Sequence, residues 1–195
     1  MNGRMSQSRI KTMRRCPKKH DYKHNQRLES KKPAATLFRG TILHEMIEAS
    51  TKKKDPFAVT REYAKKHKQL FREEREMYGE TFIEDIDRVF QGYQRSTATD
   101  KLKYEYIEEA GEVELPNGII FSFKVDKIAT DGQRRWLMDH KSCRSIPDEK
   151  TRFSDLQLVL YYWAWNELHP KEKVDGVIWD YLKTKPPTIP EPLKK

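Results

Sequence analysis

A β-hairpin is the feature that most restricts the fold of this chain. Residues 121–128 and 136–142 form two runs rich in β-branched and aromatic side chains, which favour strands. The dipeptide Asp131-Gly132 lies between them, and Asp-Gly between such runs is a strong signal for a two-residue type I′ turn. We therefore predict two antiparallel strands joined by a tight turn.

The turn sets the register of the hairpin, and the register places two acidic residues. With a two-residue loop, Thr130 pairs with Gln133. Asp126 then lies opposite Leu137, and Asp139 becomes its diagonal neighbour on the same face. Diagonal neighbours lie roughly 7–8 Å apart, with side chains still within mutual reach. A three-residue loop would put the two aspartates on opposite faces, so the predicted acidic pair depends on the turn.

Lys141 lies two residues after Asp139, so its side chain is expected on the same face of the strand. Two close carboxylates repel each other unless a cation or a proton lies between them. Oxygen ligands with open positions suit Mg²⁺ or Mn²⁺. For Asp139 and Lys141 alone, however, an exposed ion pair on a solvated strand face is the commoner explanation. The rest of the chain has to decide between a metal site and a surface pair.

The composition indicates a polar chain of one ordinary domain. The chain has 195 residues, of which 36% are hydrophobic and 35% charged. No apolar run approaches the roughly 18 residues of a membrane span, and the N-terminus lacks the apolar core of a secretory signal. Cys16 and Cys143 are too few for a disulfide framework. We expect a cytoplasmic protein in a reducing setting, without a membrane partner.

The positive charge is concentrated at the N-terminus. The net charge is +9, and residues 1–32 contain eleven lysines and arginines against two acidic residues, which accounts for all of it. Such a basic arm is the footprint expected of a partner of phosphate backbones. A disordered solubilising arm and an organelle-targeting segment are the alternatives. The residues expected to contact nucleic acid are Arg9, Arg14, Arg15, Lys18 and Lys19.

Hydrophobic spacing predicts the remaining elements. Helices are expected within 6–28 (starting at Ser6 or Ser8 and broken at Pro17), and at 34–51, 57–78, 80–96 and 153–168. The pattern changes to strands at about Tyr104, and strands are expected at 111–115, before a turn at 116–118, and at 174–182. In the helix 153–168, Leu156, Leu160 and Trp163 should form one buried line. We predict a single domain over residues 1–185, with a basic arm at 1–32, a helical insertion at 57–98 and an extended or disordered tail at 186–195.

Two helices carry polar residues at a spacing of four. Gly40, His44 and Glu48 lie along one line of helix 34–51. A glycine there costs helix stability, which suggests that the backbone is approached closely. His44 is a candidate metal ligand, although a single helix histidine is more often a packed or surface residue. Gln157 and Tyr161 share a line of helix 153–168, where a buried glutamine needs a hydrogen-bonding partner.

Together, these motifs resemble a known family. In chain order they are Gly40-x-x-x-His44-x-x-x-Glu48, Val125-Asp126-Lys127-Ile128, Met138-Asp139-His140-Lys141-Ser142 and Gln157-Leu158-x-x-Tyr161. This ordered set resembles the RecB-like exonuclease branch of the PD-(D/E)xK nuclease superfamily, which includes many phage exonucleases. The segment 6–10 with Cys16-Pro17 is similar to the opening segment of that branch.

The resemblance implies a metal site. His44, Asp126 and Asp139 would ligate Mg²⁺ or Mn²⁺, helped by the backbone carbonyl of His140. The iron–sulphur members of the branch use one N-terminal cysteine and three near the C-terminus. Cys16 matches the first, but no cysteine follows Cys143. Because two cysteines cannot build a four-cysteine cluster, no iron–sulphur cluster is expected; either the chain lacks it or its C-terminal part is missing.

The resemblance also implies roles around the metal. Lys141 would position or polarise the attacking water and offset charge on the phosphate. Gln157 and Tyr161 would steady the site and the DNA strand, and Gly40 would lie against the nucleic acid. The implied substrate is DNA, at ends or as single strands, and a recombination or replication protein is the implied partner.

The resemblance implies an α/β fold with a restriction-endonuclease-like core, in which a central mixed sheet is flanked by helices 34–51 and 153–168 and carries a helical insertion. The implied function is metal-dependent hydrolysis of DNA phosphodiesters by an exonuclease in recombination, repair or phage replication. The implied location is the cytoplasm of a bacterium or of a phage-infected host cell. A non-catalytic basic nucleic-acid-binding module is one alternative. A nuclease subunit active only with a helicase or recombinase partner is the other.

Overall fold

The structure is a computed structural model that describes residues 3–28, 35–68, 76 and 78–185. The chain forms two compact units. Among the described residues, the first unit contains 3–28, 102–139 and 147–180, and the second contains 35–68, 76, 78–101, 140–146 and 181–185. Each unit is therefore assembled from separate stretches of the chain. The single domain over 1–185 stays a prediction, and the tail at 186–195 lies outside the described residues.

The first unit begins with a basic helical segment. Helix α1 (Gln7–Arg15) starts after Ser6, whose hydroxyl accepts a hydrogen bond from the amide of Arg9 at 3.4 Å. The helix ends before Pro17, which opens the short helix α2 (Pro17–His20). A π-helical turn, Asp21–Asn25, follows. The predicted helix starting at Ser6 and interrupted at Pro17 is confirmed.

The described strands form one mixed sheet of five strands. Its strands are β1 (Arg4–Met5), β2 (Lys103–Glu114), β3 (Ile120–Thr130), β4 (Arg135–Cys143) and β5 (Gly176–Lys183). The strand order is β1-β3-β4-β5, and β2 also pairs with β3. β1 is parallel to β3, whereas β2 and β4 are antiparallel to it. The predicted central mixed sheet is confirmed.

The predicted two-residue turn of the hairpin is wrong. Thr130 pairs with Arg135, so the loop has four residues, 131–134. The Asp131 carboxylate accepts hydrogen bonds from the amides of Gln133 and Arg134 at 2.9 and 2.8 Å. These side-chain bonds stabilise a wider loop than an Asp-Gly pair makes alone. Because the register moves by two residues, each side chain keeps the face that was predicted for it.

The helix predicted at 153–168 starts later in the structure, as α7 (Leu156–Leu168), and a separate short helix, α6 (Glu149–Phe153), precedes it. Asp155 separates them because its carboxylate caps α7 and accepts a hydrogen bond from the amide of Gln157 at 2.9 Å. Of the predicted buried line, Leu156 is wrong, since it is 38% exposed, whereas Leu160 and Trp163 are partly buried against the core. The fully buried residues of α7, which packs on β2 and β3, are Leu158, Ala164 and Trp165. The core of this unit contains Phe121, Phe123, Val125, Ile128, Leu137, Leu158, Ala164, Trp165 and Val174.

The second unit has a helical core. It contains α3 (Ala35–Thr51), α4 (Phe57–Lys68) and α5 (Phe82–Thr97). The helix predicted at 57–78 extends to Lys68 in the structure, and residues 69–75 and 77 lie outside the described part. The core contains Ile42, Leu43, Met46, Ile47, Phe82, Ile83, Ile86, Val89, Phe90 and Leu182. Among the described helices of the chain, none has the length and apolarity needed to cross a membrane.

Candidate active site

Two aspartates face each other in the first unit, where the hairpin ladder ends. The last pair between β3 and β4 is Lys127 with Met138. Asp126 and Asp139 are the next residues on the two strands, so their side chains leave on one face of the sheet. Asp139 is 2% exposed and Asp126 is half-buried. The pair predicted as diagonal neighbours is therefore directly opposed.

Helix α7 brings two further predicted residues to this pair. The side-chain amide of Gln157 donates a hydrogen bond from Nε2 to Oδ1 of Asp139 at 2.6 Å. Tyr161 lies one turn later, and its pKa is raised to about 12 by burial and by the negative charges of Asp139 and Asp126. The phenol therefore stays protonated at neutral pH. The first unit thus brings together Asp126, Asp139, Gln157 and Tyr161.

In the second unit, the two predicted histidines lie together. Because side chains alternate along β4, the His140 side chain points away from the face shared by Asp139 and Lys141. The ring of His140 is 2% exposed, with its centroid 6.0 Å from that of His44 and 6.3 Å from that of Tyr93. The His140 ring is thus part of an aromatic cluster. The metal role implied for this residue concerned only its backbone carbonyl.

The backbone is approached closely at Gly40, as its position in the sequence predicted. A Cβ atom on Gly40 would lie 2.8 Å from Oγ of Ser142 on β4, in the same unit. That distance is shorter than real side chains tolerate, so glycine lets α3 pack here. Glu48, about two turns further along the same line of α3, forms an ion pair with Lys52 at 2.5 Å. Contact of Gly40 with nucleic acid stays a prediction.

The basic residues of the N-terminal arm lie in different surroundings. Lys11, Arg14 and Arg15 share one face of α1 and line a groove of about 440 Å³ against α6 and α7. Arg9 instead hydrogen-bonds Oδ1 of Asn25 at 3.4 Å, and Lys18 lies 5.8 Å from the ring centre of Tyr22. The sequence prediction omitted Lys11, although its helical spacing from Arg14 and Arg15 was a readable signal.

The chemistry of the acidic pair fits a hard divalent cation. In the described part of the chain, no group of three or more His, Cys, Asp or Glu side chains is arranged to hold a metal ion. Mg²⁺ does not require such a cage, because it is usually held by one or two carboxylates while water and substrate phosphates fill the other positions. Asp126 and Asp139 supply that number of carboxylates. The donor set therefore suits Mg²⁺ or Mn²⁺ held jointly by protein and substrate.

Comparison with known proteins defines the class. The family model of the PD-(D/E)XK nuclease superfamily matches residues 4–193, and the chain belongs to this superfamily. The predicted superfamily and the α/β restriction-endonuclease-like fold are thereby confirmed. The chain is accordingly a nuclease by family, from a superfamily whose members generally use divalent metals.

Individual relatives add little to this assignment. The crystal structure of SSO0001 is similar over 80% of this chain and 67% of that chain, at 12% identity and a TM-score of 0.31. A similarity of that size carries no argument about function. No curated protein sequence matches the chain.

Proposed function

We propose that the protein is a metal-dependent DNA exonuclease of the RecB-like branch. The observation that carries this proposal is the pair Asp126 and Asp139, opposed at the end of a strand ladder. Gln157 of α7 donates a hydrogen bond to Asp139, and the charges of both carboxylates act on Tyr161. The chain belongs to the PD-(D/E)XK superfamily, and Asp126 with Asp139-His140-Lys141 matches the two acids and the lysine in that name.

Asp126 and Asp139 would hold Mg²⁺ or Mn²⁺, and the resemblance adds His44 and the carbonyl of His140 as ligands. A divalent cation there supplies Lewis acidity, which lowers the pKa of water and offsets charge on the phosphate. Gln157 fixes the rotation of the Asp139 carboxylate through its hydrogen bond. Outer-shell bonds of this kind are worth roughly 10–100-fold in metal affinity or activity.

Two other side chains act on water and phosphate. Lys141 follows Asp139 by two residues on β4, so strand alternation directs it to the same face. Its ammonium group positions the attacking water and offsets the negative charge that develops on the phosphate. Tyr161, which keeps its proton at neutral pH, donates a hydrogen bond to the DNA strand.

The finer assignment follows the resemblance. It includes DNA rather than RNA, attack at ends or on single strands, and a role in recombination, repair or phage replication beside a recombination or replication protein. The basic arm supports a nucleic-acid substrate, because it carries the whole net positive charge of the chain.

Digestion of end-labelled linear DNA beside a closed circle of the same sequence tests the function. The native chain, Lys141→Ala and Asp139→Asn are compared in Mg²⁺, Mn²⁺ and chelator, with Lys103→Ala, at an exposed lysine of β2, as the matched control. We expect metal-dependent loss of the linear form alone by the native chain and the control. Both site variants should lose at least about 100-fold in rate.

Each departure from this result has a meaning. Cutting of the closed circle would show an endonuclease. Cutting that survives Lys141→Ala and Asp139→Asn would place the chemistry elsewhere. If folded, DNA-binding protein cuts neither form with any metal, the chain is not a nuclease by itself, and addition of a helicase or recombinase tests whether a partner is needed.

A further inference from the structure

The basic groove of the first unit has the composition of a strand-binding surface. Lys11, Arg14 and Arg15 of α1 line one side, and Thr151 of the short helix α6 and its C-cap residue Ser154 also line the groove. Cations and hydroxyl groups are the side chains that most often contact phosphate and sugar. Lys11, Thr151 and Ser154 were not among the residues predicted from the sequence to contact nucleic acid.

The floor of the groove connects it to the acidic pair through one helix. Leu156 and Leu160 of α7 line the groove. Gln157 and Tyr161, each one residue further along, interact with Asp139 and lie on the neighbouring face of the same helix. A strand in the groove therefore runs beside the helix that supports the proposed catalytic carboxylates.

A second groove on the other side of the α6–α7 junction is aromatic. It has a volume of about 490 Å³ and is lined by Phe153, Tyr162 and Trp179, and Asp155 borders both grooves. Phe153 is 80% exposed, although burying a phenylalanine is ordinarily favourable. Exposed aromatic rings beside a basic groove are the surface that single-stranded nucleic acid uses, because unpaired bases stack on them. A duplex offers no such free bases.

We propose that a single DNA strand crosses the α6–α7 junction, with its phosphates on Lys11, Arg14 and Arg15 and an unpaired base on Phe153. The choice of DNA rests on the function proposed above; the binding surface itself does not require cleavage. An acidic peptide would also meet the three cations. Nucleic acid is favoured because the chain belongs to a nuclease superfamily and α7 carries both the groove and the supports of Asp139.

The test is fluorescence anisotropy of labelled oligo(dT) in chelator, so that binding is measured without cutting. The groove variant is Lys11→Gln, Arg14→Gln and Arg15→Gln together. The control carries Lys53→Gln, Lys54→Gln and Lys65→Gln, which remove the same charge from exposed positions of the second unit. We expect the groove variant to bind roughly 10-fold or more weakly, and the slope of log affinity against log salt to fall by about 2, since each single-strand contact contributes about 0.7.

The base contact has its own probe. Phe153→Ala should weaken oligo(dT) binding by roughly 5- to 100-fold, the range for loss of one stacked base. It should leave binding of an abasic oligonucleotide unchanged. Because Phe153 is exposed, this substitution is not expected to disturb the fold, which circular dichroism and thermal melting check for every variant.

Several results would overturn the proposal. These are equal affinity of the groove and control variants, tighter binding of a hairpin duplex than of oligo(dT), or equally effective competition by poly-glutamate, which would indicate an acidic peptide partner. The two proposals fail separately. A native chain that binds through the groove but never cuts refutes only the nuclease function, and a nuclease whose binding ignores the groove substitutions refutes only this surface.

Discussion

Gln157 donates a hydrogen bond from Nε2 to Oδ1 of Asp139 at 2.6 Å, and its own backbone amide is capped by Asp155 at 2.9 Å. The Asp155 cap stabilises the first turn of α7. Gln157 in that turn then orients the carboxylate of Asp139, which lies on β4, 18 residues earlier. The orientation of Asp139, a buried acid, thus depends on the start of a helix.

The first prediction concerns this bond. Gln157→Leu keeps the approximate size of the side chain but removes the donor, so the carboxylate loses a polar partner in a buried place. We expect a loss of roughly 10–100-fold in metal affinity or activity. Nuclease rate against Mg²⁺ concentration measures it. Gln91→Leu, on the exposed face of α5, is the control, and an equal effect of both substitutions would remove the special role of Gln157.

The second prediction separates the metal site from activity. Asp126 and Asp139 repel each other when both are charged, so Asp139→Asn should leave the melting temperature in chelator unchanged or raise it. Binding of Mg²⁺ to the folded native chain should stabilise it by about 2.7 kcal/mol at 100 times the Kd. The variant should lose that shift.

Differential scanning fluorimetry with and without Mg²⁺ measures both effects, and Asp100→Asn, at an exposed position, serves as the control. A Mg²⁺ shift of native size in Asp139→Asn would show that the ion binds elsewhere.

The third prediction concerns the packing of α3. Gly40→Ala gains about 1 kcal/mol of helix propensity, but its Cβ would lie 2.8 Å from Oγ of Ser142. In Ser142→Ala that oxygen is gone and the next atom is 4.0 Å away. We expect Gly40→Ala to be more stable by about 1–2 kcal/mol in the Ser142→Ala background than in the native one. Urea unfolding of the four proteins gives the coupling, and strict additivity would contradict the contact.

The fourth prediction concerns pH. Lys127 is 3% exposed and lies 4.4 Å from the ring centre of Tyr104, and burial lowers its pKa from 10.5 to about 8 despite the nearby charge of Asp180. Between these two values, the unfolded chain binds more protons than the folded one. The cost of burying the lysine is therefore full below pH 8 and falls as the pH rises.

The free energy of unfolding should consequently increase by about 1.5 kcal/mol between pH 8 and pH 9.5 from this group. Urea unfolding of the native chain and of Lys127→Met, each at several pH values, gives the two free energies of unfolding. Their difference isolates the contribution of Lys127, because the other groups titrate in both proteins. Lys103→Met, at an exposed position, should keep the native slope. Parallel curves for the native chain and Lys127→Met would show that Lys127 is not responsible.

Much of the fold was predictable because it follows from local patterns. Ser6 and Pro17 start and interrupt the first helices by backbone chemistry within one turn. The spacing of four between Gln157 and Tyr161 puts both on one helix line wherever that helix lies. Asp126 and Asp139 share a face as predicted, although the predicted turn length was wrong. A register change of two residues leaves each side chain on the same face of the sheet.

Two local features were missed because side chains there bond to the backbone next to them: Asp131 widens the hairpin loop, and Asp155 caps the start of α7. Other features depended on contacts between residues far apart in the chain. Which side of α7 is buried depends on β2 and β3, so Leu156 faces outward although its spacing suggested the core. The sequence by itself determined the order of the motifs, the shared strand face of Asp126 and Asp139, and the superfamily. The tertiary structure decided burial and the grooves, because these arise only when distant segments pack together.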